Sequence, residues 1–235
     1  MDCAICPVRV RTEWFDLDES GVESLNSAKV RREYAPGTHV FTVGEPCRGL
    51  YYIAAGLIAN LRRYRDGATG GLLTFRHPGD VLGLRSFLSD GPHLATAKAV
   101  QPSVVCFIDG ETVHSLLGRA PRTMLQFVRR LAGSLECAEE KLADPGADGM
   151  RRRVLRLIAA LRLACGRTDR TGDGTIELPL PRADIAAAVG ASPRALTNVL
   201  ARLEGEGLIA SGPESLRVLD PRRLHAAVRD DPSTR

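Results

Sequence analysis

The sequence predicts an α+β protein: a β-rich N-terminal domain, one long helix, and a C-terminal domain built around two short helices and a hairpin. Three observations predict it. Short apolar runs bounded by glycine and proline turns fill residues 31–120. The apolar spacing switches to a helical period at Pro121. Finally, Pro181–Leu200 reads as two helices crossing at a glycine turn.

The bulk composition bounds the function without naming it. The 235 residues carry 32 Lys and Arg against 28 Asp and Glu, a net charge of +4, so only the distribution of charge can inform on nucleic-acid binding. Arginines cluster late, at Arg151, Arg152, Arg153, Arg182, Arg194, Arg202, Arg217, Arg222 and Arg223. No run approaches the roughly 18 apolar residues of a membrane span. Met1-Asp2-Cys3 opens without a basic and apolar leader, so the chain is expected to be cytoplasmic. In that compartment its six cysteines are core residues, metal ligands or redox groups rather than a disulfide framework. No phosphate loop, nucleophile elbow or His-Glu-x-x-His run supports an enzyme.

The elements follow in order. Residues 1–30 form an N-terminal segment containing Cys3 and Cys6. The strands expected in 31–120 are His39–Val43, Leu50–Ala54, Leu57–Tyr64, Leu72–His77, Val81–Leu84, Ala95–Val100 and Ser103–Ile108. Turn signals such as Pro36-Gly37, Gly56 and Pro78-Gly79-Asp80 separate them, and a sandwich, barrel or roll results. Pro121 suits the first turn of a helix over 121–143. Met124, Val128, Leu131, Leu135, Ala138 and Leu142 recur there at steps of 4, 3, 4, 3 and 4, the repeat of a seam shared by two chains. Residues 144–150 read as a hinge, Arg151–Cys165 as an amphipathic helix, and 230–235 as a disordered tail after a domain at 151–229.

Within that last domain Ala186 is the small residue at the helix crossing and Gly190 the turn, with Ile185, Val189, Leu196 and Val199 as shared core. Ser192 is a good N-cap and Pro193 a good first residue for the second helix. Its outward face carries Arg194, Thr197 and Asn198, expected to reach base edges in a major groove, and Arg202, expected on phosphate. Ser192 and Arg182 complete the expected DNA contacts. Leu208–Ala210 and Leu216–Leu219 form a hairpin, which makes a winged helix-turn-helix. Helix pairs of this kind also occur away from DNA; the wing and the arginines favour double-stranded DNA as the partner.

The whole pattern resembles the family of the cyclic-AMP receptor protein and the fumarate–nitrate reduction regulator (Crp/Fnr). The carriers are Tyr34–Phe41 with Gly44-Glu45, Leu50–Gly56, His77–Gly83 and the helix pair above. The resemblance implies a cyclic-nucleotide-binding-like β-roll, a dimerisation helix at 121–143 and transcription regulation by a homodimer. It also implies a roughly palindromic operator with half-sites ~34 Å apart, and RNA polymerase as a further partner.

Departures from the family pattern shape the expected signal. Cyclic-nucleotide binders carry Gly-Glu for the ribose and Arg with Ser or Thr for the phosphate; here Leu84 follows Gly83, and Leu94 and Ala95 occupy the phosphate positions. Apolar side chains cannot compensate a buried phosphate, so cyclic AMP is not expected. Cys3-x-x-Cys6 and Cys106 resemble the cluster-binding branch, although Thr12 stands where a third N-terminal ligand is expected. The resemblance implies a 4Fe–4S cluster on Cys3, Cys6 and Cys106, and Cys47, in a β-roll turn, is the candidate for the fourth thiolate. A Cys3/Cys6 dithiol switch, and a small-molecule or haem signal with purely structural cysteines, are the alternatives.

Overall fold

The computed structural model describes residues 2–63, 69–143, 147–165, 175–177, 182, 185–186, 189–212 and 215–229. The start of the expected hinge (144–146), the polar run 166–174, the tail and the side chains of Leu142, Cys137 and Cys165 lie outside the described residues. The chain divides into two compact units, Met1–Cys137 and Ala138–Arg235.

Two antiparallel sheets build the first unit. One has the order β1 (Val30–Tyr34), β8 (Ser103–Asp109), β3 (Gly49–Ala55), β6 (Val81–Leu82). The other has the order β2 (His39–Phe41), β7 (Thr96–Ala99), β4 (Ile58–Arg63), β5 (Thr69–Arg76). Because side chains alternate across a strand, β3 and β8 each serve two cores. Ile53 and Val105 point between the sheets and meet Phe41, Ile58, Ala97 and Ala99. Leu50, Tyr52 and Ile108 point to the other face. At Gly56, φ is +91° and an added Cβ would fall 2.2 Å from the Ser103 hydroxyl, so only glycine closes this turn.

The outer face of the first sheet is covered by helices and by the N-terminal segment. Leu25 of α1 (Glu19–Ala28), Leu84 and Phe87 of α2 (Leu84–Leu88), and Val113, Leu116 and Leu117 of α3 (Gly110–Arg119) all bury there. So do Phe127 of α4 (Pro121–Ala143) and Trp14. Trp14 meets Phe127 edge-on at 5.3 Å and Tyr52 at 5.8 Å, and all three rings are nearly or fully buried.

The long helix at Pro121–Ala143 has the bounds that its period predicts. Thr123 and Phe127 face the core, and Leu131 is half-buried against it. Met124, Val128, Leu135 and Ala138 are exposed on the single chain, as a seam awaiting a partner would be. One strand expectation is corrected. Val81–Leu84 was expected to be extended, but pairing stops at Leu82: Gly83, at φ +83°, turns the chain into α2. The helices α1 and α3 and the strand β1 were not among the expected elements.

In the second unit, α5 (Ala147–Cys165) buries Val154, Leu155, Ile158 and Leu161. It starts four residues before the expected Arg151, inside the expected hinge. The unit continues with α6 (Pro193–Gly205) and α7 (Pro221–Arg229). A three-stranded sheet of order β10 (Ile209–Ser211), β11 (Ser215–Val218), β9 (Thr175–Glu177) adds a third strand to the expected hairpin.

Two stability predictions follow from this packing. Phe127→Ala removes a fully buried ring and should lower the unfolding free energy by ~3–5 kcal/mol, read by denaturant melts. His93 is stacked on Phe41 at 3.6 Å, and neither ring nitrogen has a protein partner. Burial, opposed by nearby Glu45, holds its pKa below the usual 6.5. The unfolded chain therefore binds the proton first, and stability falls as pH drops through the unfolded value. The melting midpoint should decline from about pH 7.5 to about pH 5.5, and His93→Phe should flatten that decline. An undiminished slope in the variant would remove His93 as its source and leave His77, whose pKa burial also lowers.

Candidate nucleic-acid interface and sensory cavities

The second unit presents α6 on a firmly positioned frame. Ser192 caps the helix, its hydroxyl accepting from the Ala195 amide at 3.2 Å, and Pro193 is the first helical residue. Gly190, at φ +68°, makes the turn before it, and Ala186 is fully buried at the crossing. Arg153 donates to the Val189 carbonyl at 2.7 Å, just before that turn. Leu196, Val199, Leu200 and Leu203 are buried. The opposite face leaves Arg194, Thr197, Asn198 and Arg202 exposed together, on one side of the helix. The Thr197 hydroxyl donates back to the Pro193 carbonyl at 3.0 Å, which leaves its methyl and its oxygen lone pairs facing outward.

Two arginines are committed elsewhere. Arg182 was expected among the DNA contacts, but its guanidinium donates to the Ser211 hydroxyl and the Gly212 carbonyl. Glu204 accepts from the Ser211 amide at 2.6 Å. Arg182 and Glu204 therefore hold the wing against the helix pair, and Arg182 becomes a positioning residue. Arg151 pairs with Glu206 at 2.6 Å. The wing in turn exposes Arg217 between the buried Leu216 and Val218, and α7 exposes Arg222 and Arg223. Arg217 was legible as part of the late cluster, and its exposure follows from strand alternation.

In the first unit the N-terminal segment folds over the outer sheet face. Arg9 organises it by donating to the Cys3 carbonyl at 2.9 Å, the Trp14 carbonyl at 2.9 Å and the Phe15 carbonyl at 3.2 Å. The Cys3 amide donates to Asn26 of α1 at 3.0 Å. As a result Cys3, Cys6 and Cys106 line one small apolar cavity with Trp14, Leu25 and Tyr52, bordered by Arg9 and Lys29. Cys106 enters it because it alternates with the inward-facing Val105. Burial raises the Cys106 thiol pKa, reinforced by Cys3 and Cys6 and opposed by Lys29.

Cys47 does not join this group. Its thiol donates to the Gly49 carbonyl at 3.4 Å and the Gly83 carbonyl at 3.7 Å, and it lines a separate cavity with Phe87 and His114. Register explains the separation. Gly49 pairs with Asp109 while Tyr52 pairs with Cys106, so Cys47 lies on the order of 10 Å or more along the sheet from Cys106. Thr12 sits beside the thiol cavity, its hydroxyl spent on the Arg9 carbonyl at 2.7 Å. Among the described residues, no group of three or more His, Cys, Asp or Glu is arranged to hold a metal ion. The four-cysteine set implied for a 4Fe–4S cluster therefore does not fit this arrangement.

A further cavity of about 240 Å³ lies between β-roll strands, α2 and α4. Its lining includes Arg76, Arg85, His93, Leu94, Ala95 and Arg130. Leu84, in the place of a ribose-binding Glu, is buried in the apolar core, and Leu94 is half exposed.

Comparison with known proteins places both units. Residues 31–120 match the family model of the cyclic nucleotide-binding domain, and residues 152–227 that of the Crp-like helix-turn-helix domain. The chain is 28% identical over 213 residues to a CRP-like cAMP-activated global transcriptional regulator of Mycobacterium tuberculosis, covering 91% of this chain and 94% of that one. It is 24% identical over 212 residues to the fumarate and nitrate reduction regulatory protein of Escherichia coli, covering 89% and 82%. Among solved structures, FixK2 of Bradyrhizobium japonicum superposes with a TM-score of 0.61 at 24% identity, covering 85% of this chain and 96% of that one. The c-di-GMP responsive regulator CLP of Xanthomonas campestris gives a TM-score of 0.63 at 20% identity, covering 86% and 100%, and like FixK2 bears on the fold alone. With a β-roll that matches the cyclic nucleotide-binding domain and a C-terminal domain that matches the Crp-like helix-turn-helix, the chain belongs to the Crp/Fnr family, whose members are DNA-binding transcription regulators rather than enzymes.

Proposed function

We propose that this regulator binds a roughly palindromic operator as a homodimer and responds to redox state or oxygen through Cys3, Cys6 and Cys106. The observation that carries the signal is the convergence of these three thiols, from the N-terminal segment and from β8, on one apolar cavity. Oxidation joins two of them: the two thiols lose two protons and two electrons, and a hydroperoxide is reduced to water and an alcohol. Burial raises the Cys106 thiol pKa, with Lys29 opposing it, so that thiol rests protonated in the reduced protein. Cyclic AMP is not its signal on this reading, because Leu84, Leu94 and Ala95 offer neither the ribose acceptor nor the phosphate partners. RNA polymerase is the further partner expected of a transcription regulator, and the cytoplasm its compartment.

At the operator, Arg194, Thr197 and Asn198 read bases and Arg202 holds phosphate, in keeping with their exposure along one face of α6. The exposed apolar residues of α4 supply the dimer contact, which sets half-site spacing.

Three measurements test this reading. Operator affinity by fluorescence anisotropy should change about tenfold between reduced and peroxide-treated protein. Serine at Cys3, Cys6 or Cys106 should abolish the change, whereas Cys47→Ser should leave it; equal affinities in the wild type would overturn the redox signal. Anaerobic reconstitution with iron and sulfide should leave the protein without about four irons per chain, and that stoichiometry, if found, would assign the thiols to a cluster instead. Arg194→Ala should cost ~1–3 kcal/mol at one operator position, while Arg202→Ala should weaken all sequences alike and reduce the salt slope by about 1.

A further inference from the structure

Beside the apolar seat of Trp14 on Phe127 and the hydrogen bond of Gln126 to Asp16, one side chain of α4 gathers the N-terminal segment and the turn before β6 together. Arg130 pairs through Nε with Oε1 of Glu13 and through Nη1 with Oδ1 of Asp80, the latter at 3.2 Å. Its Nη2 donates to the Arg11 carbonyl at 3.4 Å and the Gly79 carbonyl at 3.3 Å. Four acceptors from two places thus meet one planar fork: Arg11 and Glu13 from the segment, Gly79 and Asp80 from the turn before β6. Glu13 is 2% exposed. Such a carboxylate is costly to bury without its partner cation, so loss of the Arg130 guanidinium penalises the docked position of Glu13.

The fit is close on both sides. A Cβ added at Gly79 would stand 3.0 Å from Cβ of Arg11, so the segment lies directly on the turn. The turn is itself fixed to β3, where Gly79 donates to the Ile53 carbonyl at 2.9 Å and Ile53 to the Asp80 carbonyl at 3.1 Å. At the other end, the hydrogen bonds of Arg9 to Cys3, Trp14 and Phe15 make the cysteine turn and the Glu13–Trp14 turn one unit. Cys3 and Trp14 thus share Arg9, and Glu13, next to Trp14, shares Arg130.

We propose that Arg130 is the coupling residue of this regulator: it clamps the cysteine-bearing segment as a strap across the first unit and carries the strap's state into α4. The coupling to redox state rests on the function proposed above, whereas the clamp itself stands on the contacts of Arg130. The element it enters is the one that bears the exposed dimer seam, so release of Arg130 acts on the helix through which two subunits meet. Arg130 acts through Glu13 and α4 and touches neither operator nor thiol.

Two readouts separate the clamp from the redox reading. In the first, intact reduced protein is labelled with a maleimide and each cysteine is followed by peptide mass spectrometry. Arg130→Gln should raise the labelling rate of the buried Cys3 by about tenfold or more and leave Cys47, in the same unit, unchanged. An unchanged Cys3 rate, or a parallel rise at Cys47 that marks general loosening, would overturn the clamp. In the second, the ratio of operator affinities between reduced and oxidised protein should fall toward one in Arg130→Gln; retention of the wild-type ratio would overturn the coupling. A wild-type ratio of one would sink the redox reading, while the labelling still decides the clamp. Should Arg130→Gln fail to fold, Glu13→Gln, which removes the charge on the buried partner, is measured in the same way and should expose Cys3.

Discussion

Everything in the first unit depends on covering the outer face of one sheet. Leu50 and Tyr52 of β3 and Ile108 of β8 form an apolar surface that an antiparallel sheet could leave in water only if it were polar. No single helix spans it. Trp14 from the N-terminal segment and Phe127 from α4 meet edge-to-face over Tyr52 and close it together. That shared burial determines two other features. With Phe127 and Thr123 facing inward, the neighbouring stripe of Met124, Val128 and Leu135 is left facing outward. And once Trp14 is seated, the short chain before it must pass over β8, which brings Cys3 and Cys6 to Cys106. The dimer seam and the thiol cavity are thus two consequences of one packing requirement.

The sequence made most of this legible where a period was long. The seam helix carries six apolar or small residues at a regular repeat, from Met124 to Leu142, and its bounds emerge as read. The start of α6 was equally clear, since Ser192 and Pro193 are local signals that do not need tertiary context. Short elements escaped. The helix α2 is five residues long, too short to show a period, and follows what reads as a strand. In α1 only Val22 and Leu25 mark an apolar stripe within a polar stretch, and β1 shows no clean alternation because its residues are almost all exposed. The helix α3 could have been found: Asp109 and Thr112 form a cap, and Val113, Leu116 and Leu117 follow at helical spacing.

The candidate site divides in the same way. Arg194, Thr197 and Asn198 fall on one exposed face because helix geometry dictates it. Arg182 and Cys47 could not be placed from sequence, since each is decided by a long-range partner. Arg182 reaches a wing 29 residues further on, and Cys47 is separated from Cys106 by strand register rather than by chain distance. Composition marks a cysteine as a candidate; only register decides which cavity receives it.

The position of Arg130 bears on how relatives of one architecture can answer different signals. Two cavities in the first unit adjoin this residue's network. One is the β-roll cavity, which Arg130 itself lines with His93, Leu94 and Ala95. The other is the thiol cavity, tied to it by Arg9 and Glu13. A ligand in the first, or oxidation in the second, would disturb the same guanidinium on the same helix. The lining of either cavity can then change while the element acted upon stays the same, since both reach α4 through Arg130. In this chain the cyclic-nucleotide partners have given way to leucine and alanine while the strap retains its cysteines and its ion pair. Under the proposed redox function the signal enters at the strap and the response begins in the helix that the strap holds.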